Sequence, residues 1–330
     1  MELSLISKYR SELMGIATVW VMLYHFRTSF GIAPINLLSS VGYGGVDIFL
    51  FLSGFGLYCG FRKTKSLGLF YYRRFIRIFP IYLFVIIVDS LLKQDYNVPN
   101  ILLKSTGICY FIPFIPTAWH DWYIPTVYLF YFLFPLIYNL LNANVLKWGG
   151  VMIVIGFLLT GFLIYMQTGY VILTTSRIPI FILGCIAGYY YAMRKPIKNV
   201  TFCCVLSLIV LIIEIFLVGH FGHIYLWKNA IYWLPFFIIT PGLCLCLCYI
   251  IKMIEKDNIL KWIGGLSLEA YLIHIIILKR SKDWMMNFIN GETIKAWLVF
   301  ILFSLVVMGV SYLLHIVYNN AIYNRLITKH

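Results

Sequence analysis

Long apolar runs recur along the chain, each close to the length that crosses a bilayer, with short polar stretches between them. A hydrocarbon core takes about 20 helical residues. Runs of that kind fall at 11–30, 44–61, 72–92, 121–141, 148–166, 176–193, 201–219, 229–251, 263–279 and 296–319. The pattern predicts an all-α fold: a polytopic integral membrane helical bundle of about ten transmembrane helices. The stretch 99–118 is apolar but broken by Pro99, Pro113 and Pro116, and reads as a re-entrant segment or a capping loop. The first run contains Trp20, Tyr24 and His25 with no clean small-residue cleavage site after it, so it reads as a retained span. No fixed-period repeat or low-complexity linker divides the chain, and 1–330 is expected to form a single domain with no appended soluble domain.

Composition excludes the main competitors. The chain is 62% hydrophobic and 12% charged, whereas a soluble domain carries about 25% charged residues. Aromatic residues make up 18%, which excludes disorder. The eight cysteines sit in apolar surroundings, and Cys244, Cys246 and Cys248 alternate, so on a helix the three do not converge on one metal. They read as small buried hydrophobes, not as a disulfide framework or a metal site.

The net charge of +14 would suggest nucleic acid in a soluble chain, but here it sets topology. Lys8 and Arg10 precede the first span. Arg62, Lys63, Lys65, Arg73, Arg74 and Arg77 lie between or at the ends of the second and third. Lys147, Arg194, Lys195, Lys198, Lys252, Lys256, Lys261, Arg325 and Lys329 fall on the same side of a ten-span array. Both termini are therefore expected to be cytoplasmic. The stretch 279–295 breaks the rule, because it puts Lys279, Arg280, Lys282 and Lys295 outside.

Ionisable groups inside a bilayer are costly and point to function by default. His25 lies roughly 21 Å above the inner end of its span at 1.5 Å per residue. Asp47 opens the second span from the outside, at a similar depth. A carboxylate on one imidazole nitrogen would fix the tautomer and leave the other nitrogen as a base. The plainer alternatives are a packing histidine and an aspartate favoured by a helix N-terminus. Arg74 and Arg77, three apart, share a helix face at the inner rim beside Arg73, where guanidiniums either hold phosphates or anchor the span. Asp121 and Trp122 follow His120 at the start of the fourth span; Arg177 opens the sixth, and His274 lies in the outer half of the ninth. Glu269 is five residues from His274, a poor spacing for a direct pair. Asp89 and Glu214 read as groups paired within the bundle. His220 and His223 lack a third ligand nearby, so no metal is expected.

Several stretches are similar to the membrane acyltransferase-3 family. They are Glu12-Leu13-Met14-Gly15-Ile16-Ala17 running to Tyr24-His25, Gly45-Val46-Asp47 with Leu52-Ser53-Gly54-Phe55, and Arg73-Arg74-Phe75-Ile76-Arg77 with Pro80 and Tyr82. Trp122-Tyr123 with Tyr131 and Pro135, Arg177-Ile178-Pro179 with Gly184, and Ser267-Leu268-Glu269-Ala270-Tyr271-Leu272-Ile273-His274 follow in the family's order. The resemblance covers about 10–280. It implies an O-acyltransferase in the cell membrane that moves an acyl group, usually acetyl in that family, from cytoplasmic acetyl-CoA or another acyl-CoA to a hydroxyl of a cell-surface or lipid-linked carbohydrate. His25 would be the family's essential histidine, assisted by Asp47. Arg74 and Arg77, with Arg73, would hold the coenzyme. Asp121, Trp122, Arg177 and His274 are candidates for the acceptor side. The chain departs from the family twice: Met14 stands where many members carry an arginine, and Ile124-Pro125-Thr126-Val127 lacks a glutamate found in many. The expected partners are acyl-CoA, a carbohydrate and the lipid bilayer, with no nucleic acid and no permanently bound cofactor. A non-enzymatic exporter or flippase of a lipid-linked glycan is the alternative.

Overall fold

In hydrocarbon the backbone has no water to bond to, so the apolar runs fold as helices that satisfy their own amides. The structure, a computed structural model, describes residues 2–64, 66–112, 121–166, 171–221, 232–254 and 258–320. The chain starts with α1 (Glu2–Lys8), α2 (Arg10–Phe26), α3 (Ala33–Ser40), α4 (Gly44–Thr64) and α5 (Leu67–Leu92). Two short helices follow, α6 (Val98–Ser105) and α7 (Ile108–Phe111). Then come α8 (Tyr123–Ala143), α9 (Val145–Tyr165), α10 (Ile172–Thr175), α11 (Ile178–Ala192) and α12 (Val200–Phe221). The last four are α13 (Phe236–Ile254), α14 (Asn258–Gly265), α15 (Ser267–Ile289) and α16 (Thr293–Tyr318). Side chains cap three of the starts: Ser66 accepts from the Leu69 N–H, Asn97 from Asn100 and Asn144 from Lys147. Helix α5 runs unbroken through Pro80.

Eight stretches among the described residues are long and apolar enough to cross a membrane, and the bent pair α14–α15 makes a ninth. The tenth expected span is α2, a shorter helix of 17 residues. The protein is thus a polytopic helical membrane bundle. Helices α14 and α15 meet at 73°, and the half-helix α14 packs along the start of α2. Helix α15 does not stop near 279 as the sequence suggested but continues to Ile289, so Lys279, Arg280 and Lys282 stand on a helix, not in a loop. The stretch 99–112 forms α6 and α7, with Gly107 against Pro125 of α8. Pro113, Pro116, His120, His223, Lys65, Lys256, Arg325 and Lys329 lie outside the described residues.

Helix α4 is the axis of the bundle. Of its apolar window 83% is buried, against 17% for α9 and α12, which turn their side chains to lipid. The central position rests on glycine, because lipid gives no hydrophobic drive between helices and close packing must supply the attraction. A Cβ on Gly184 of α11 would lie 2.1 Å from the Phe51 carbonyl oxygen of α4, and one on Gly54 would lie 2.4 Å from the Phe181 carbonyl oxygen. The same contact joins α2 to α14, where a Gly264 Cβ would meet the Ser11 carbonyl oxygen at 1.7 Å. The charged ends of α4 and α11 are tied by Arg62, which donates to the Ala192 carbonyl.

Gly184→Val is expected to force α4 and α11 apart and cost about 1–3 kcal/mol or more, the usual range for overpacking. Gly161 in α9 has open space around it, and Gly161→Ala should be neutral or stabilise by up to about 1 kcal/mol through helix propensity. Melting of the two variants in detergent checks the contrast; equal melting would mean that the α4–α11 contact does not hold the bundle.

Candidate active site

At the end of the bundle where Arg62 caps α11, α2, α4, α5, α8 and α15 enclose a small chamber of about 60 Å³. Arg10, Arg74 and Arg77 line it, together with Met14, Ser53, Tyr131 and Ser267. The Arg10 guanidinium fits there because α4 presents glycine to it: a Cβ on Gly56 would touch it at 2.6 Å. The Arg74 guanidinium lies over the Phe70 and Tyr131 rings at 5.8 and 5.6 Å. The Arg10 Nε is buried without a hydrogen-bond partner. Arg73, expected with this group, is exposed and stands off the chamber. Arg10, expected only as a topology signal, belongs to it. Its signal was available: Arg10 lies four residues, one helical turn, before Met14 and so on the same face.

A second chamber of about 400 Å³ opens toward the other end of the bundle. It is lined by His25, Tyr43, Asp121, Trp122, Arg177 and Tyr232, among others. Tyr271 lines both chambers. Its ring lies 4.6 Å from that of Tyr123, and its hydroxyl is 3.4 Å from Asp121 Oδ1. The two tyrosines form the partition between the chambers.

His25 is held by another histidine. Its Nδ1 lies 3.1 Å from His274 Nε2, and His274 Nδ1 lies 3.0 Å from the Ala270 carbonyl oxygen. A carbonyl only accepts, so His274 Nδ1 carries the proton and donates. The His274 Nε2 of the neutral ring then accepts, which requires His25 Nδ1 to donate. His25 Nε2 is left with a lone pair at the wall of the larger chamber. This tautomer is assigned from the hydrogen-bond network, and it is the one a general base needs.

Asp47 is placed against Arg177 and not against His25. Its Oδ1 lies 3.4 Å from Arg177 Nε, with both side chains buried, and no hydrogen bond joins it to His25. The reason is direction: Asp47 starts α4 against the start of α11, where Arg177 also donates to the Ser176 hydroxyl at 2.8 Å and sits 5.3 Å over the Trp122 ring. A buried pair of this kind orients helices more than it stabilises them. Asp121, just ahead of α8, accepts from the Tyr123 N–H at 3.0 Å. Burial pushes its carboxyl up to about 6 in spite of that donor.

The remaining polar groups are paired elsewhere. Asp89 bridges Lys93 at 2.5 Å, Glu269 accepts from His315 at 2.7 Å, and Tyr43 donates to Glu214. His220 bonds the Phe216 carbonyl at 3.0 Å, one turn back. Thr126, in the stretch that lacks a glutamate, meets the Thr174 hydroxyl at 2.5 Å.

The fold and its two chambers define a polytopic membrane protein with a through-bundle site divided by one pair of tyrosines. The sequence matches the model of the acyltransferase-3 family, described as an acyltransferase domain, over residues 13–316. The chain belongs to that family and is a membrane acyltransferase. No curated protein and no solved structure matches it.

Removing one partner of a buried ion pair leaves an uncompensated charge and costs about 3–5 kcal/mol. Asp47→Ala and Arg177→Met are each expected to melt well below wild type in detergent, and the double variant to recover most of the loss. Lost turnover in Asp47→Ala at unchanged melting temperature would return the carboxylate to the chemistry.

Proposed function

We propose that this acyltransferase is an O-acetyltransferase of the cell membrane, taking acetyl-CoA from the cytoplasm and transferring the acetyl group to a carbohydrate hydroxyl at the far side. The observation that carries this reading is the pair of chambers meeting at Tyr271, with three guanidiniums below the partition and one unprotonated imidazole nitrogen above it. The basic end faces the cytoplasm by the charge bias of its loops. There Arg74 and Arg77, joined by Arg10, hold phosphate oxygens, for which a guanidinium's planar fork is suited.

The pantetheine arm takes the place where the Tyr123 and Tyr271 rings pack together, so these rings turn aside as it brings the thioester carbonyl to His25. The acceptor hydroxyl gives its proton to His25 Nε2 as its oxygen attacks the carbonyl carbon. The carbon–sulfur bond breaks, and the leaving thiolate takes that proton back from His25 Nε2, which gives coenzyme A and restores the neutral ring. A neutral hydroxyl is too weak a nucleophile without this base. His274 accepts from His25 Nδ1 throughout and so steadies the ring when it becomes charged.

General-base catalysis contributes about 10²–10⁴-fold. His25→Ala and His25→Gln should both lose turnover on that scale while coenzyme A still binds. His274→Gln, which keeps a hydrogen-bonding group beside the ring, should fall between His25→Gln and wild type. Acetyl transfer in membranes, normalised to folded protein, is the measurement, and wild-type turnover in His25→Gln would remove the base.

The arginines make a separate prediction. Arg10→Ala should raise the apparent dissociation constant for acetyl-CoA as Arg74→Ala does, by about tenfold for loss of one charge-assisted contact. Arg73→Ala should leave it within twofold. If Arg73 mattered and Arg10 did not, phosphate would be bound outside the chamber.

A further inference from the structure

Basic residues are depleted on the translocated side of membrane proteins, so Lys279, Arg280 and Lys282 need a reason to be where they are. Helix α15 carries them past its apolar segment, at the end opposite Arg10, Arg74 and Arg77. Spacing by three puts Lys279 and Lys282 on one helix face, and both line the larger chamber, whereas Arg280 and Asp283 do not. Arg27 faces them across it. It follows α2 directly, in the left-handed conformation at φ 50°, with its guanidinium 6.0 Å from the Tyr24 ring and two residues beyond His25.

One carboxylate, Asp121, lines the chamber with these three cations. Its Oδ1 accepts from the Tyr123 N–H and the Tyr271 hydroxyl and its Oδ2 is buried, so it offsets at most one of the three charges and forms no ion pair with any of them. Asp89, which shares a neighbouring recess with Lys279, is bridged by Lys93. Asp47 is buried against Arg177. Among the described residues, Arg27, Lys279 and Lys282 have no ion-pair partner. Three exposed cations converge on a cavity of about 400 Å³, within the size range of small-ligand sites, and His25 is in its wall.

We propose that the acceptor of this enzyme is an anionic glycan, whose carboxylate or phosphate is held by Arg27, Lys279 and Lys282 while its hydroxyl lies at His25. This rests on the transfer reaction proposed above and names the acceptor class of that same site. The cations fix which hydroxyl is presented, because a sugar carrying the charge one residue away can enter in only one direction. They also draw an acidic polymer to the mouth of the chamber, an effect that salt screens over about 10 Å at 0.1 M.

The test uses the full-length protein in phosphatidylcholine nanodiscs with acetyl-CoA and matched probes. These are a glucuronic-acid-containing oligosaccharide, its methyl ester, and a neutral glucose oligosaccharide of equal length. The free acid is expected to have a KM about tenfold or more below the ester and the neutral sugar, and the advantage should shrink at 0.5 M salt. Arg27→Gln with Lys279→Gln and Lys282→Gln should bring the ratio of the KM values close to one, since a few partly exposed ion pairs together give about that factor. Should the triple variant fold poorly, Lys282→Glu alone, which takes the charge of the three positions from +3 to +1, should cut the preference severalfold. A sugar phosphate arm distinguishes phosphate from carboxylate as the preferred anion, and either preference supports the proposal. Equal KM values for acid, ester and neutral sugar in the wild type would overturn it and leave the transferase reading intact. So would a preference that the variants keep, or one that disappears when phosphatidylglycerol is added, because the cations would then serve the membrane surface. Acetyl transfer to none of the probes, with His25→Ala equal to wild type in acetyl-CoA turnover, would overturn the transferase reading itself.

Discussion

Hydrocarbon gives a buried polar group no water, and the arrangement of this protein follows from that scarcity. Every helix satisfies its own backbone, and most intramembrane side chains find one another. Glu214 meets Tyr43, Glu269 meets His315, and Asp47 meets Arg177. Other polar groups, Arg10, Arg77, His25 and Asp121 among them, line the two chambers.

Close packing sets the geometry that keeps the chambers apart. Glycines on α4 and α11 bring two backbones within contact, which places α4 at the centre of the bundle. Another glycine on α4, Gly56, leaves room for the Arg10 guanidinium. One helix therefore supplies both the tight seam and the floor of the arginine chamber. The bend between α14 and α15 presents Ser267 and Tyr271 to that chamber, and beyond Tyr271 the same helix supports His274 and then Lys279. The order of residues along α15 is the order of positions through the membrane.

The histidine pair shows how a base is prepared without a carboxylate. A backbone carbonyl fixes one ring, which fixes the next, and the lone pair appears where the chamber begins. Two neutral rings cost less to bury than an ion pair. The one buried ion pair nearby, Asp47 with Arg177, orients helix ends instead.

The sequence by itself determined that this is a helical membrane bundle, because apolar runs of spanning length allow no other structure in lipid. It also singled out His25, Arg74 and Arg77, since ionisable residues inside or at the rim of a span are rare enough to stand out. Partners were not legible, because pairing depends on which helices touch and not on spacing along one of them. His25 and His274 are 249 residues apart, and Asp47 looked like the nearer choice only because its depth matched. Arg10 looked like an anchor until α4 was seen to leave space for it. Tyr271 was one aromatic among many until both chambers met at its ring. The basic stretch after 279 looked like a fault in the topology, and the continuation of α15 turned two of its lysines toward the chamber of His25. Chain composition decides what a segment can be in a bilayer; packing between distant segments decides which polar atoms remain unpaired, and those define the site.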